Sequence, residues 1–244
     1  MRTKEVSICG LSAVRSRFET APLTIKRLFF TPEIAPQIGD ICSRLAEARR
    51  AYRCVEEADL ERISGSVHHG GIVAVVERPP FRSPTLEQVQ EWAAAGDSML
   101  VLDCIGNPHN LGAIIRTAAF FGVTKLILAD HELAAVPTDA TYRVAAGGLE
   151  HMDVYVVKYI NRFLHDIRQF YEVVGAAAEG GDPKLGRTTR KPVAMVLGNE
   201  EEGLAAEVAA ECDRLITIPG CGRVESLNVS AAAAVMIWEC TRAR

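Results

Sequence analysis

The sequence predicts an α/β protein in two parts, a small α/β unit followed by a larger one built on a parallel sheet. Three observations carry this. A chain of 244 residues is long for one compact core and comfortable for two. Three prolines, Pro79, Pro80 and Pro84, break the pattern where neither a helix nor a sheet interior tolerates them. After Ser98, apolar strand-like runs alternate with helical stretches, as in parallel sheets with crossover helices. The expected division is a front domain at 1–78, a linker at 79–96 and a second domain at 97–244.

Taken in order, Gly10 to Glu19 reads as a short helix and Lys26 to Phe30 as a strand closed by Thr31-Pro32. Between Ala35 and Arg50, residues Ile38, Ile41, Cys42 and Leu45 recur at the spacing of one helical face, which predicts a helix. Tyr52 to Val55 reads as a strand, Glu57 to Ile63 as a helix, and Gly71 to Val76 as a buried strand. A helix around Leu86 to Ala95 leads to the strand Met99 to Ile105. The helix Leu111 to Phe121 is stopped by Gly122, in the position that favours a left-handed cap. Further strands are expected at Lys125 to Leu128, Val154 to Val157, Tyr171 to Ala176, Val193 to Leu197 and Leu215 to Ile218. Further helices are expected at Asn161 to Phe170, Leu204 to Cys212, and from Asn228 to the end.

Composition narrows the class. Apolar residues make up 48% and charged residues 24%, as in ordinary globular domains. No apolar run reaches the roughly 18 residues of a membrane span, and MRTKEVSICG lacks the apolar core of a secretory signal, so a cytoplasmic location is expected. The seven cysteines are scattered and include no C-x-x-C pair, which suggests neither a disulfide framework nor a zinc site. His68 and His69 are adjacent and diverge on any regular element; packing, a turn and RNA contact are all open to them. The net charge of −4 argues against a wide nucleic-acid footprint. The front, however, is net +2 over residues 1–80 (12 Lys+Arg, 10 Asp+Glu), and the remainder is net −6 (15 against 21). Arg15 with Arg17, Lys26 with Arg27, and Arg49 and Arg50 with Arg53 are each compatible with a solvated face or an RNA patch.

Three loops follow strands, where open parallel sheets bind ligands. The first, Gly106 to Asn110, enters a helix carrying Arg116 among Ile114, Ile115, Ala118 and Phe120. Asn110 suits a helix cap, and an arginine on an apolar helix needs a partner, structural or functional. The second, Gly198-Asn199-Glu200-Glu201-Glu202-Gly203, brackets three acids between glycines. An acidic helix start accounts for Glu201 and Glu202 better than for Glu200. The third runs from Ile218 through Asn228 into Ala231 to Ala234. It does not complete G-x-G-x-x-G, because Glu225 stands at the last glycine, so a dinucleotide-binding oxidoreductase is disfavoured.

Together, NPHNLGAIIRTAAFFGV, GNEEEGL and IPGCGRVESLNVSAAAA resemble the three signature motifs of the SpoU/TrmH RNA 2′-O-ribose methyltransferases. The segment from Cys9 to Val76 resembles the substrate-binding domain that precedes the catalytic domain in many members. Within the family the chain looks most like the YfiF-related subgroup, then the 23S rRNA guanosine methyltransferases. The resemblance implies a parallel-sheet SPOUT catalytic domain with a C-terminal trefoil knot, a homodimer, S-adenosylmethionine as cofactor, and structured RNA (ribosomal or transfer) as substrate, without membrane or metal. It assigns catalysis to Asn110, Arg116, Glu200, Ser226 and Asn228. It assigns the methyl donor to Leu197, Gly198, Gly203, Ile218, Pro219, Leu227 and Asn228. Asn107 and Gly220 depart from the common pattern, which has aspartate and methionine there. The alternative is a non-catalytic RNA-binding or ribosome-assembly factor that keeps the fold.

Overall fold

The computed structural model describes residues 4–78, 80–132, 134–184 and 189–241. In chain order its elements begin β1 (Lys4–Cys9), α1 (Leu11–Thr20), β2 (Ile25–Phe30), α2 (Gly39–Glu47), β3 (Ala51–Cys54), α3 (Glu57–Ser64), β4 (Ile72–Arg78) and α4 (Leu86–Ala95). There follow β5 (Met99–Leu102), α5 (Pro108–Phe120), β6 (Lys125–Ala129), α6 (Asp139–Ala145), β7 (Asp153–Val157) and α7 (Ile160–Ile167). Last come β8 (Glu172–Ala176), β9 (Val193–Leu197), α8 (Ala206–Ala209), β10 (Arg214–Ile216) and α9 (Val229–Thr241).

The chain divides into two compact units: residues 1–80 with 137–150, and residues 81–136 with 151–244. The first is therefore discontinuous in sequence, since 137–150 lies inside the stretch expected to form one second domain. Pro79, part of the expected linker, lies outside the described residues.

The first unit holds a four-stranded sheet in the order β1-β4-β2-β3, antiparallel except for the β2–β3 pair. Strand alternation gives it two different faces. Ile8, Leu28 and Ala74 share one register row and are fully buried. Cys9, Phe29 and Val73 share the opposite face, where Leu60 and Ile63 of α3 pack on them. The segment 137–150 docks onto this unit through α6 against β1. Arg17 Nε lies 2.8 Å from Glu150 Oε2, with the two side chains 10% and 4% exposed, and Arg17 Nη2 donates to Tyr142 Oη at 3.2 Å.

The second unit is a six-stranded, wholly parallel sheet in the order β10-β8-β9-β5-β6-β7. Its central strands are apolar on both faces and buried throughout, as parallel strands covered on both sides must be. Val89 of α4, Ile160, Leu164 and Ile167 of α7 and Val208 of α8 pack in one cluster with Met99, Val101 and Val196. Helices α5 and α9 pack on each other, and α9 also on β9.

Several expected elements differ. The helix expected from Ala35 to Arg50 is broken: Ala35–Gln37 is a 3-10 turn, and α2 starts only at Gly39. Pro36 lacks the N–H an α-helix interior would use. The strand expected to reach Ile105 ends at Leu102, and that expected to Ile218 ends at Ile216. The helix expected over Leu204 to Cys212 shrinks to Ala206–Ala209, and the one expected to Phe170 ends at Ile167. Strand β1 and helix α6 had no counterpart among the expected elements. The final residues of the expected C-terminal helix, 242–244, lie outside the described residues.

Candidate active site

All strands of the second sheet run the same way, so the loops after β5, β9 and β10 leave from one edge. Strands β5 and β9 are neighbours though far apart in sequence. The first loop therefore meets the second above the sheet, a crevice of the kind in which open α/β sheets bind ligands.

Glu200 is the centre of that meeting. Its Oε2 accepts from Gly106 N at 3.2 Å, and its Oε1 from Asn107 N at 3.3 Å and Asn110 Nδ2 at 2.8 Å. Partial burial would raise this carboxyl. The hydrogen bonds from Asn110 and from main-chain N–H groups outweigh it and hold the acid below its ordinary value. Asn110 Oδ1 then accepts from Asn228 Nδ2 at 3.1 Å, which ties in the third loop. Asn228 Oδ1 accepts from Ser230 N and Oγ at 2.9 and 2.6 Å, capping α9. One chain of hydrogen bonds thus joins the three motif loops.

The cap of α5 is Asn107, not Asn110: Asn107 Oδ1 accepts from His109 N at 2.8 Å, with Pro108 next in the helix. That leaves the Asn110 amide for Glu200 and Asn228. A second brace comes from Asn199, to which sequence reasoning gave no role. Its Nδ2 donates to Cys104 O at 3.0 Å, and its Oδ1 accepts from Glu201 N and Glu202 N. Cys104 itself has φ 60°, rare for a residue with a side chain. The signal for Asn199 was its place beside the glycine that ends β9.

Gly198 is required by closeness. A Cβ there would sit 2.2 Å from Gly203 C and O, because Asn199 and Gly203 exchange main-chain hydrogen bonds across the turn. Gly203 has φ 73°. Leu197 is buried and its carbonyl accepts from Asp103 N, extending the β5–β9 pairing by one residue.

Two expected site residues stand apart. The apolar setting expected for Arg116 is corrected: it lies on the exposed side of α5, with no ion pair or hydrogen bond among the described residues. The helix buries Leu111, Ile114, Ile115 and Ala118, which leaves position 116 outward. Ser226 is also exposed and makes no side-chain hydrogen bond among the described residues. Ile218 is half-buried, Pro219 exposed and Leu227 48% exposed. From Ile218 to Leu227 no main-chain group bonds to another main-chain group among the described residues.

The site fits S-adenosylmethionine on two counts. Ten consecutive residues have main-chain donors and acceptors uncommitted to secondary structure. The loop from Gly198 to Gly203 carries three carboxylates and no basic residue, a setting for a sulfonium cation and not for a phosphate. Among the described residues no cluster of His, Cys, Asp and Glu could hold a metal ion, and no helix is long and apolar enough to cross a membrane.

A parallel sheet with these three loops at one edge defines an α/β protein with a ligand crevice at its strand ends, and comparison with known proteins gives the family. Residues 97–238 match the SpoU rRNA Methylase family, and residues 7–82 match RNA 2′-O ribose methyltransferase substrate binding. The chain belongs to the SpoU rRNA methylase family and is an S-adenosylmethionine-dependent methyltransferase. It is 34% identical to an uncharacterized tRNA/rRNA methyltransferase, YfiF, of Escherichia coli O157:H7, over 98% of this chain and 68% of the relative. It is 33% identical to the 23S rRNA (guanosine-2′-O-)-methyltransferase RlmB of Nitrosomonas europaea, over 96% of this chain and 90% of the relative. The AdoMet-bound rRNA methyltransferase of Sinorhizobium meliloti superposes with a TM-score of 0.81 at 25% identity, covering 98% of this chain and 87% of that one.

Proposed function

We propose that the protein transfers a methyl group from S-adenosylmethionine to a ribose 2′-hydroxyl of ribosomal RNA. The observation that carries this is the hydrogen-bond chain Glu200–Asn110–Asn228, which draws the three motif loops to one edge of the sheet. When bound, S-adenosylmethionine supplies an electrophilic methyl group on a sulfonium. Gly198, Ile218 and Leu227 would hold it through main-chain groups, with Leu197, Gly203 and Pro219 shaping the loops around it and Asn228 fixing the third loop. Glu200, kept ionised by its donors, orders the crevice and favours a neighbouring cation.

Arg116, with no carboxylate partner among the described residues, is assigned to an RNA phosphate or to the developing alkoxide of the attacked hydroxyl. A guanidinium scarcely releases a proton at neutral pH, so a role as general base is disfavoured. Ser226, exposed in the third loop, is assigned contact with the ribose. The first unit is assigned RNA capture and the second catalysis, with 137–150 counted in the first and not, as in the expected division 1–78, 79–96 and 97–244, in the second. A C-terminal trefoil knot is supported by the chain path: it leaves β10 at the sheet edge and returns as α9 to β9 near the centre. A homodimer is supported by Phe120 and Trp238, 82% and 49% exposed, beside Phe121 on the packed pair α5 and α9.

The test uses ribosomal RNA from cells lacking the gene, incubated with purified protein and labelled S-adenosylmethionine. Label at an alkali-resistant linkage, absent with Arg116→Ala, is the expected result. Full activity in Arg116→Lys would favour a charge role, and equal loss in both a bidentate one. Retained activity in Arg116→Ala would remove Arg116 from the chemistry, and no label on any RNA would favour the non-catalytic alternative.

A further inference from the structure

The basic side chains of the first unit are not equally compensated. Arg15, Arg17, Lys26, Arg27 and Arg62 each sit against a carboxylate. Arg44, Arg49, Arg50 and Arg53 have no carboxylate partner among the described residues. Arg44 lies over the Phe18 ring, and Arg50 Nη2 donates to Leu23 O. Arg49 and Arg53 are exposed and their side chains make no hydrogen bond or ion pair among the described residues. These four arginines are contiguous in the fold. They run from the end of α2 through its closing turn to β3, and Glu47 is the only acid between positions 44 and 53.

Two features of this stretch run against stability. The first is the end of α2. Arg49 N donates to Ala46 O and Arg50 N to Leu45 O, a Schellman closure whose left-handed position is normally glycine. Helices α3, α4 and α5 close with Gly65, Gly96 and Gly122 at φ 64°, 80° and 75°. Helix α2 instead has Arg49 at φ 53°. The second is β3, the edge strand of its sheet, exposed at all four positions, with Tyr52 44% exposed. Basic residues near a helix C-terminus favour its dipole. That accounts for Arg44, but not for an arginine in a glycine conformation or for Arg53 on a strand.

We propose that this strip, Arg44, Arg49, Arg50 and Arg53 with Tyr52, is where the chain grips the sugar-phosphate backbone of its RNA. The proposal rests on the RNA methyltransferase reading above and names the surface that captures the substrate. Uncompensated guanidinium groups bind phosphate, an exposed tyrosine offers a base a stacking face, and an edge strand leaves main-chain groups open to a nucleic acid. Such contacts fix position and orientation without reading sequence, as substrate capture requires.

The test measures binding of the full chain to in vitro transcribed ribosomal RNA across a salt series. Arg49→Gln with Arg53→Gln is expected to weaken binding about ten-fold and to lower the salt slope by about 2. The Arg49→Lys, Arg53→Lys pair should keep most of the affinity, and Arg62→Gln, in a paired position, all of it. Arg49→Gly should raise Tm while lowering RNA affinity, an opposition that a structural arginine would not give. Unchanged affinity and slope in the glutamine pair would overturn the strip while leaving methyl transfer standing. Lost binding in that pair, in a wild-type chain that methylates no RNA, would keep the strip and overturn the transferase reading. Intact RNA binding with lost binding to vesicles of acidic phospholipid would assign the strip to a membrane surface and overturn the proposal.

Discussion

Glu150 shows how far a buried carboxyl can be moved by its surroundings. Burial pushes it up to about 7, against the pull of the Arg17 guanidinium. Between its ordinary 4.5 and that value, the folded chain holds a proton that the unfolded chain has released. The stability this group contributes is therefore fully present below 4.5 and is lost as pH rises through about 7, the reverse of an exposed ion-paired acid. Glu150→Gln removes the titration. The stability advantage of wild type over the variant, from urea unfolding, is expected to shrink by on the order of 2 kcal/mol between about pH 5 and about pH 8. A difference that stays flat would mean that Arg17 keeps the carboxylate charged throughout. Glu200 is held the other way by its donors, so two acids of one chain titrate on opposite sides of the ordinary value.

At the scale of elements, the turn from β9 to α8 is the tightest part of the site. Gly198→Ala would press a methyl group into the Gly203 backbone, and is expected to cost roughly 1–3 kcal/mol and to abolish S-adenosylmethionine binding in a calorimeter. Gly203→Ala meets no atom within 4 Å and suffers only from its positive φ, so it should cost about 1 kcal/mol and keep measurable binding. Equal damage from both would show that the close approach at Gly198 is not what shapes the loop. The strands of the second sheet were legible because central parallel strands are unbroken apolar runs such as Val193 to Leu197. Strand β1 was missed although Lys4–Cys9 alternates Glu5 and Ser7 with its core residues Val6 and Ile8, the period-two pattern of a half-buried strand. Helix α6 has only seven residues, too short for a periodic signal. The motif loops were readable from residue types and order. The bonds between them were not, since Asn110 and Asn228 are 118 residues apart and only the sheet order brings them together. Nor did the sequence pattern show that Arg116 faces outward, because helix α5 is apolar on most sides.

For the molecule as a whole, the discontinuous first unit matters most. A fragment ending at residue 82, where the substrate-binding match stops, omits 137–150. It would leave Arg17 buried without Glu150 and strip α6 from β1. Amide hydrogens of β1 are expected to exchange about ten-fold faster or more in that fragment than in the full chain. Equal protection would show that 137–150 adds nothing to the unit's stability. Charge divides unevenly as well: the net negative charge lies in residues 81–244 and the uncompensated arginines of the proposed strip in the first unit. Adding salt should therefore weaken RNA capture more than cofactor binding.

The bond from Asn228 to Asn110 also sets a clock on synthesis. At the usual roughly 5–20 residues per second, Asn228 is added about 6–24 s after Asn110. During that interval the nascent chain can form its first sheet strands but lacks the Asn228 amide that ties the third loop to Asn110. The three motif loops are therefore joined only once the chain has been made through the start of α9.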